Sequence, residues 1–157
     1  MGIDEARVHL GKFGRGGDII EFEVSSATVE LAAKALGVEP GRIAKSLAFG
    51  RNGSNHLILF AGDARVDNGK YKARFGMKAS MLSAEETFEL TGHRIGGVCP
   101  FGLRSSLEVW LDESLRRFDV VYPACGSANS AIRASLEELE RWSGAAGWVD
   151  VAKLTEA

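Results

Sequence analysis

Lys45 stands in an apolar run, Ile43-Ala44-Lys45-Ser46-Leu47-Ala48-Phe49. If that run is a strand, Lys45 shares a face with Ile43, Leu47 and Phe49, and the opposite face (Ala44, Ser46, Ala48) is small. An ammonium among bulky apolar side chains either snorkels to an edge or meets an anion in a cleft. The pattern leaves both open. A second stretch, His93-Arg94-Ile95-Gly96-Gly97-Val98-Cys99-Pro100-Phe101-Gly102, packs three glycines and a proline into seven residues. That composition makes a fixed loop. It can aim several backbone N–H groups at a carbonyl or developing oxyanion, or it can be a tight turn between helix and strand. His93 and Cys99 invite a base–thiol reading. However, no helix N-terminus is expected after Cys99, and only Arg94 is near enough in sequence to lower its pKa, so a packed small thiol is preferred.

Two weaker signals accompany these. Cys125-Gly126-Ser127-Ala128-Asn129-Ser130 resembles a ligand-facing turn, although Gly-Ser is common in turns of no function. Lys70, Lys72, Arg74 and Lys78 fall in nine residues without an acid, with Tyr71 and Phe75 among them. Such a run could grip a phosphate backbone or simply be a solvated helix face. Asp63 and Asp67 precede it, as turn residues or as polar contacts to a substrate amine. The three histidines are far apart and form no HExxH pattern, and the two cysteines form no CxxC, so neither a metal nor another cofactor is expected.

Composition bounds these readings. The 157 residues are 45% hydrophobic and 25% charged, enough for one domain with its own core. Nineteen basic against twenty-one acidic residues give a net charge of −2, which argues against a duplex-DNA binder. No apolar stretch approaches the roughly 18 residues of a membrane span. The charged N-terminal segment does not read as a signal peptide, so a cytoplasmic protein with reduced thiols is expected.

The elements that must position these residues alternate along the chain. Ile3, Ala6, Leu10 and Phe13 recur at helical spacing, and the alternation over 18–24 predicts a strand with Ile20, Phe22 and Val24 inward. A second helix over 29–36 stops at Gly37. Strands are expected over 43–49 and 57–61, joined by a polar loop over 50–55, followed by a helix over 68–78. Ser83 to Glu86 and Ser135 to Glu138 read as capping boxes opening helices that end near Gly92 and Trp142. Further strands are expected over 107–111, 120–122, 131–134 and 148–151. The fold class is α+β, without the regular alternation of a doubly wound sheet.

Taken together and in this order, the motifs resemble the YbaK/EbsC family of prolyl-tRNA synthetase-associated editing domains. The resemblance rests on the lysine run 43–49, Ala61-Gly62-Asp63-Ala64-Arg65-Val66-Asp67 followed by Lys70, the stretch 90–102, and Gly126-Ser127, and it spans about residues 24–139. It implies a mixed β-sheet, curled toward a barrel, with helices packed around it. It implies hydrolysis of mischarged aminoacyl-tRNA, typically tRNA(Pro) carrying alanine, cysteine or serine, with prolyl-tRNA synthetase as a possible partner. In this scheme Lys45 holds the terminal nucleotide, and Gly96 and Gly97 supply N–H groups to the ester carbonyl. Val98, Cys99, Pro100 and Phe101 wall the amino-acid pocket on one side, and Gly126, Ser127 and Asn129 on the other. Asp67 contacts substrate, and Lys70 with Lys72 steers the acceptor stem. A module that binds the ester without turning it over would carry the same residues.

Overall fold

The computed structural model describes residues 2–51 and 54–155. Its centre is a six-stranded mixed sheet in the order β8 (Ala134–Ser135), β6 (Val120–Pro123), β2 (Ile43–Arg51), β3 (Ser54–Ala61), β5 (Glu108–Asp112) and β9 (Gly147–Val149). The long hairpin of β2 (Ile43–Arg51) and β3 (Ser54–Ala61) forms its middle. Both strands run further than the polar loop expected over 50–55, because pairing continues to Arg51 opposite Ser54; residues 52 and 53 of that loop lie outside the described residues. From Leu57 to Ala61 every β3 side chain is buried, as a strand covered on both faces requires. β5 (Glu108–Asp112) runs parallel to β3, and β6 (Val120–Pro123) parallel to β2.

The helices follow their sequence signals. α1 (Gly2–Gly11) buries Ala6 and Leu10, while Phe13 lies beyond its end and is exposed. α2 (Val29–Leu36) is capped by Thr28 and stopped at Gly37. α3 (Asn68–Phe75) ends three residues before the expected Lys78, because Gly76 takes the left-handed conformation there. α4 (Ala84–Thr91) and α5 (Leu136–Ser143) both carry complete capping boxes, from Ser83 with Glu86 and from Ser135 with Glu138.

Three strand expectations are corrected. The alternation over 18–24 yields only β1 (Ile20–Glu21), preceded by a 3-10 turn over Gly16–Asp18, and Ile20 and Val24 are exposed. This segment is a surface ribbon, held by pairing with β7 (Ser130–Ala131) and by Phe22 N–H on Asn129 O. The expected strand over 131–134 is split: β7 pairs with β1, and β8 (Ala134–Ser135) pairs with β6, while Ile132 N–H turns to Pro123 O. The strand expected over 148–151 stops early: β9 (Gly147–Val149) lies beside β5, and a separate strand, β10 (Ala152–Leu154), begins after the expected segment and pairs with β4 (Ala64–Val66). Val151 lies between them, donating its N–H to buried Asp112. A 3-10 segment over Glu113–Arg117, unmarked in the sequence, links β5 to β6.

Candidate functional site

β2 and β6 pair only at Ile43 with Tyr122 and Ala44 with Pro123. Proline has no N–H to continue a ladder, and the strands separate past it. A cavity of about 230 Å³ occupies the split. Its walls come from the N-terminal end of α2 (Thr28, Val29, Ala32), from β2 at 43–47, from Ile95, Gly96 and Val98, and from Tyr122, Ala124, Ser130 and Ala131. The lining is mostly small and apolar.

Lys45 lies in this wall, half-buried. Its Nζ donates to Gly62 O at 3.4 Å. Burial pushes its pKa down, and the nearby charges of Asp63 and Glu30 only partly oppose this. Asp63 does not close on Lys45, because it is held by Arg117 (3.0 Å from Arg117 Nη1 to Asp63 Oδ2). That guanidinium keeps the Asp63 carboxyl below its ordinary range. Among the described residues no ion pair neutralises Lys45, so a half-desolvated cation is left beside a cavity.

Ser46 is a wall residue whose importance the sequence did not mark. Ala48 O accepts from Leu82 N and Gly50 N–H donates to Ser80 O, so these residues turn their backbone groups away from β3. The two-residue period turns the Ser46 backbone the same way, past the end of the β6 pairing. Its Oγ is also buried and has no partner among the described residues. A buried hydroxyl without a partner costs on the order of 1–3 kcal/mol.

The glycine loop is built by close backbone approach. A Cβ on Gly97 would lie 2.5 Å from Ser127 N, and Gly126 N–H donates to Gly97 O at 3.0 Å. Gly96 has φ +94° and sits against Ala27 and Ala128. Gly97 N–H is already committed to Arg94 O at 2.9 Å, which corrects the expectation that it is free for a carbonyl. Gly96 and Val98 are the members of this loop pair that face the cavity beside Ile95.

The other expected site residues divide by position. Pro100 is buried, and Cys99 and Phe101 are fully buried; none of the three lines the cavity. The Cys99 thiol is pushed up to about 12 by burial. Its neighbour His93 (Nε2 to Sγ 3.5 Å) holds Phe101 O at 2.7 Å through the same Nε2. A carbonyl can only accept, so Nε2 carries the proton and cannot take one from the thiol. Gly126 forms the packed junction behind the loop. Ser127 Oγ is engaged with Asn129 Oδ1 and Ser130 Oγ, and Asn129 Nδ2 donates to Phe22 O. These side chains fix the turn, while Ser130 and Ala131 reach the cavity. Asp67 caps α3, accepting from Lys70 N–H, which holds its carboxyl below the ordinary range. Lys70 Nζ binds Asp150 Oδ1 at 3.2 Å and Ala152 O at 2.9 Å. Tyr71 is fully buried on His56. The basic run therefore turns one of its aromatics into the core. No group of three or more His, Cys, Asp or Glu residues that could hold a metal occurs among the described residues.

A curled mixed sheet, opened where its short sixth strand ends, holds a small and mostly apolar cavity beside a half-buried lysine. The family profile of the aminoacyl-tRNA editing domain matches residues 23–142. Over 98% of both chains, 53% of residues are identical to the uncharacterized protein YwhH of Bacillus subtilis (strain 168). The candidate Cys-tRNA(Pro)/Cys-tRNA(Cys) deacylase EbsC of Enterococcus faecalis is 26% identical over 71% of this chain and 70% of its own. A crystal structure of a candidate trans-editing enzyme for prolyl-tRNA synthetase superposes with a TM-score of 0.87 and 34% identity, covering 97% of each chain. The chain belongs to the aminoacyl-tRNA editing domain family, in its YbaK/EbsC branch, and is an aminoacyl-tRNA deacylase. Among the described residues no helix is long and apolar enough to cross a membrane.

Proposed function

We propose that this chain is a cytoplasmic trans-editing hydrolase that removes a small wrong amino acid (alanine, cysteine or serine) from tRNA(Pro). The observation that carries this is the cavity. At about 230 Å³ it lies below the roughly 300–1,000 Å³ of drug-sized sites, and small side chains wall it. A short acyl group fits such a space. A synthetase pocket discriminates one methylene by only about 1–3 kcal/mol, so a second pocket of different shape is what removes small competitors.

The chemistry asks little of side chains. Water attacks the ester carbonyl carbon, the carbonyl oxygen becomes an oxyanion, and the carbon–oxygen bond to the ribose breaks. The ribose oxygen leaves with a proton, which yields free amino acid and tRNA. Backbone N–H groups of Gly96 and Val98, the loop residues that face the cavity, stabilise the oxyanion. Lys45, lacking a carboxylate partner, takes the phosphate or ribose of the terminal nucleotide and fixes the ester above the cavity. Ser46 offers N–H, C=O and hydroxyl to the acyl group from the open strand edge. The vicinal ribose hydroxyl of the substrate assists the attacking water. Prolyl-tRNA synthetase is the source of the error and the candidate docking partner.

The test is deacylation of tRNA(Pro) charged with alanine, cysteine, serine or proline, comparing wild type with Lys45→Ala. Accelerated loss of one or more mischarged species, with Pro-tRNA(Pro) spared and the acceleration absent in the variant, is expected. Survival of every ester at its spontaneous rate would sink the hydrolase reading in favour of a binding module.

A further inference from the structure

The cavity does not end at its own rim. Ile95, 64% exposed, lines it and also lines a neighbouring groove formed with Ala84, Glu85, Phe88, Glu89 and Arg94. The Phe88 ring carries two guanidinium groups: Arg94 Cζ lies 4.1 Å and Arg104 Cζ 4.8 Å from its centroid. Both arginines are exposed. Their backbones are fixed from two directions, since Arg94 O accepts from Gly97 N–H within the glycine loop and Arg104 N–H donates to Thr91 O at the end of α4. Arg7, Arg15, Arg42, Arg116 and Arg117 each hold a carboxylate. Among the described residues Arg94 and Arg104 hold none, although Glu85 and Glu89 stand in the same groove.

We propose that Arg94 and Arg104, stacked on Phe88, bind the phosphate backbone of the 3′ acceptor strand of tRNA as it leaves the cavity past Ile95. This rests on the hydrolase reading above for the identity of the ligand. Stacking on the ring orients each guanidinium while leaving its N–H fork free for phosphate oxygens. Glu85 and Glu89 line the same groove, and they repel a phosphate chain, so it is held at the arginines alone. The same arrangement explains how a protein of net charge −2 engages RNA: the basic surface is local and adjoins the site.

The experiment measures binding of uncharged tRNA(Pro) against salt concentration for wild type and the double variant Arg94→Gln/Arg104→Gln. It is paired with hydrolysis of a minimal substrate, the alanyl ester of adenosine. With two phosphates of a single strand no longer neutralised, the slope of log affinity against log salt should flatten by about 1.4, and affinity should drop roughly tenfold near physiological salt. Hydrolysis of the minimal ester should stay within about twofold of wild type, which also certifies folding. Phe88→Leu, which keeps both charges but removes the ring, should give an intermediate loss of tRNA affinity. An unchanged salt slope in the double variant would overturn the assignment, as would equal losses on tRNA and on the minimal ester. If wild type hydrolyses no ester at all, the hydrolase reading fails, and the salt slope still decides whether these arginines bind RNA.

Discussion

Lys45 and Lys70 are the same residue type in opposite circumstances. Lys70 projects from an exposed helix face and has its ammonium shared between Asp150 and Ala152 O. Lys45 is half-buried on the central hairpin, donates only weakly to Gly62 O, and sees Asp63, the carboxylate that acts on it most, taken by Arg117. The charges of Asp63 and Glu30 only partly make up for its lost hydration. A charge with partners already in place adds little on meeting a ligand, since old bonds must break first. A charge left partly desolvated gains the full attraction of an incoming anion. Under the proposed function, the difference gives the binding role to Lys45 and leaves Lys70 as a tether.

The sharpest break of this comparison is Lys45→Ala. Loss of a contact that holds a substrate in its reacting geometry costs about 10² in rate. We expect kcat/KM for mischarged tRNA to fall by at least about 100-fold, while thermal stability holds or rises slightly because a desolvated charge is removed. A variant that keeps a tenth or more of wild-type kcat/KM would remove Lys45 from the site. The pH profile sharpens the same point. With its pKa below the ordinary 10.5, Lys45 loses its charge at a lower pH than a free lysine. Affinity for tRNA should therefore decline on the alkaline side before pH 10.5, and Lys45→Arg should move that limb upward. The stability contribution has the opposite sign: the folded state disfavours the ammonium, so stability rises as pH climbs through the lowered value toward 10.5. Coincident alkaline limbs for wild type and Lys45→Arg would show that another group titrates.

Gly97→Ala tests the frame that holds the two walls together. The new methyl would meet the Gly126–Ser127 backbone at 2.5–2.6 Å, and neither stretch of chain can yield as a flexible side chain could. Overpacking of this kind costs about 1–3 kcal/mol, which for a domain of this size lowers Tm by roughly 3–10 °C. Activity should fall with it, since Gly96 and Val98 ride on the same loop. Unchanged Tm and activity together would show that the close approach is not needed.

What is legible in the sequence follows a physical divide. Capping boxes, left-handed glycines and the apolar run of β3 are local signals; α2, α4 and α5 stand where they predict, and the central hairpin does so while pairing further into the polar loop. The glycine loop and Lys45 are legible because their residue types are unusual for their surroundings. Long-range pairing is not. Nothing local says that 131–134 must divide between two sheets; that depends on Ile132 N–H finding Pro123 O. Nor does local sequence reveal that Gly97 N–H is taken by Arg94, or that Cys99 sits behind the wall. Ser46, Ile95 and Tyr122 join the cavity only because β2 and β6 part after Pro123. Arg94 and Arg104 meet on Phe88 from separate segments, and the sequence pattern that draws attention to charge is the run on α3.

Lys70→Met closes the comparison from its quiet side. Methionine keeps most of the aliphatic stem and removes the ammonium, so the variant isolates the ion pair and the bond to Ala152 O. The pair is solvent-exposed, and such pairs contribute about 0–1 kcal/mol. The expected outcome is a Tm within a few degrees of wild type and kcat/KM for mischarged tRNA within about twofold. Loosening should be confined to the seam between α3 and β10, visible as faster amide exchange at Ala152 and its neighbours. A tenfold loss of kcat/KM together with a flatter salt dependence would mean that Lys70 leaves Asp150 to grip the acceptor stem. In that case α3 as well as the arginine stack would carry the RNA, and a charge's partners in the free protein would no longer predict its role.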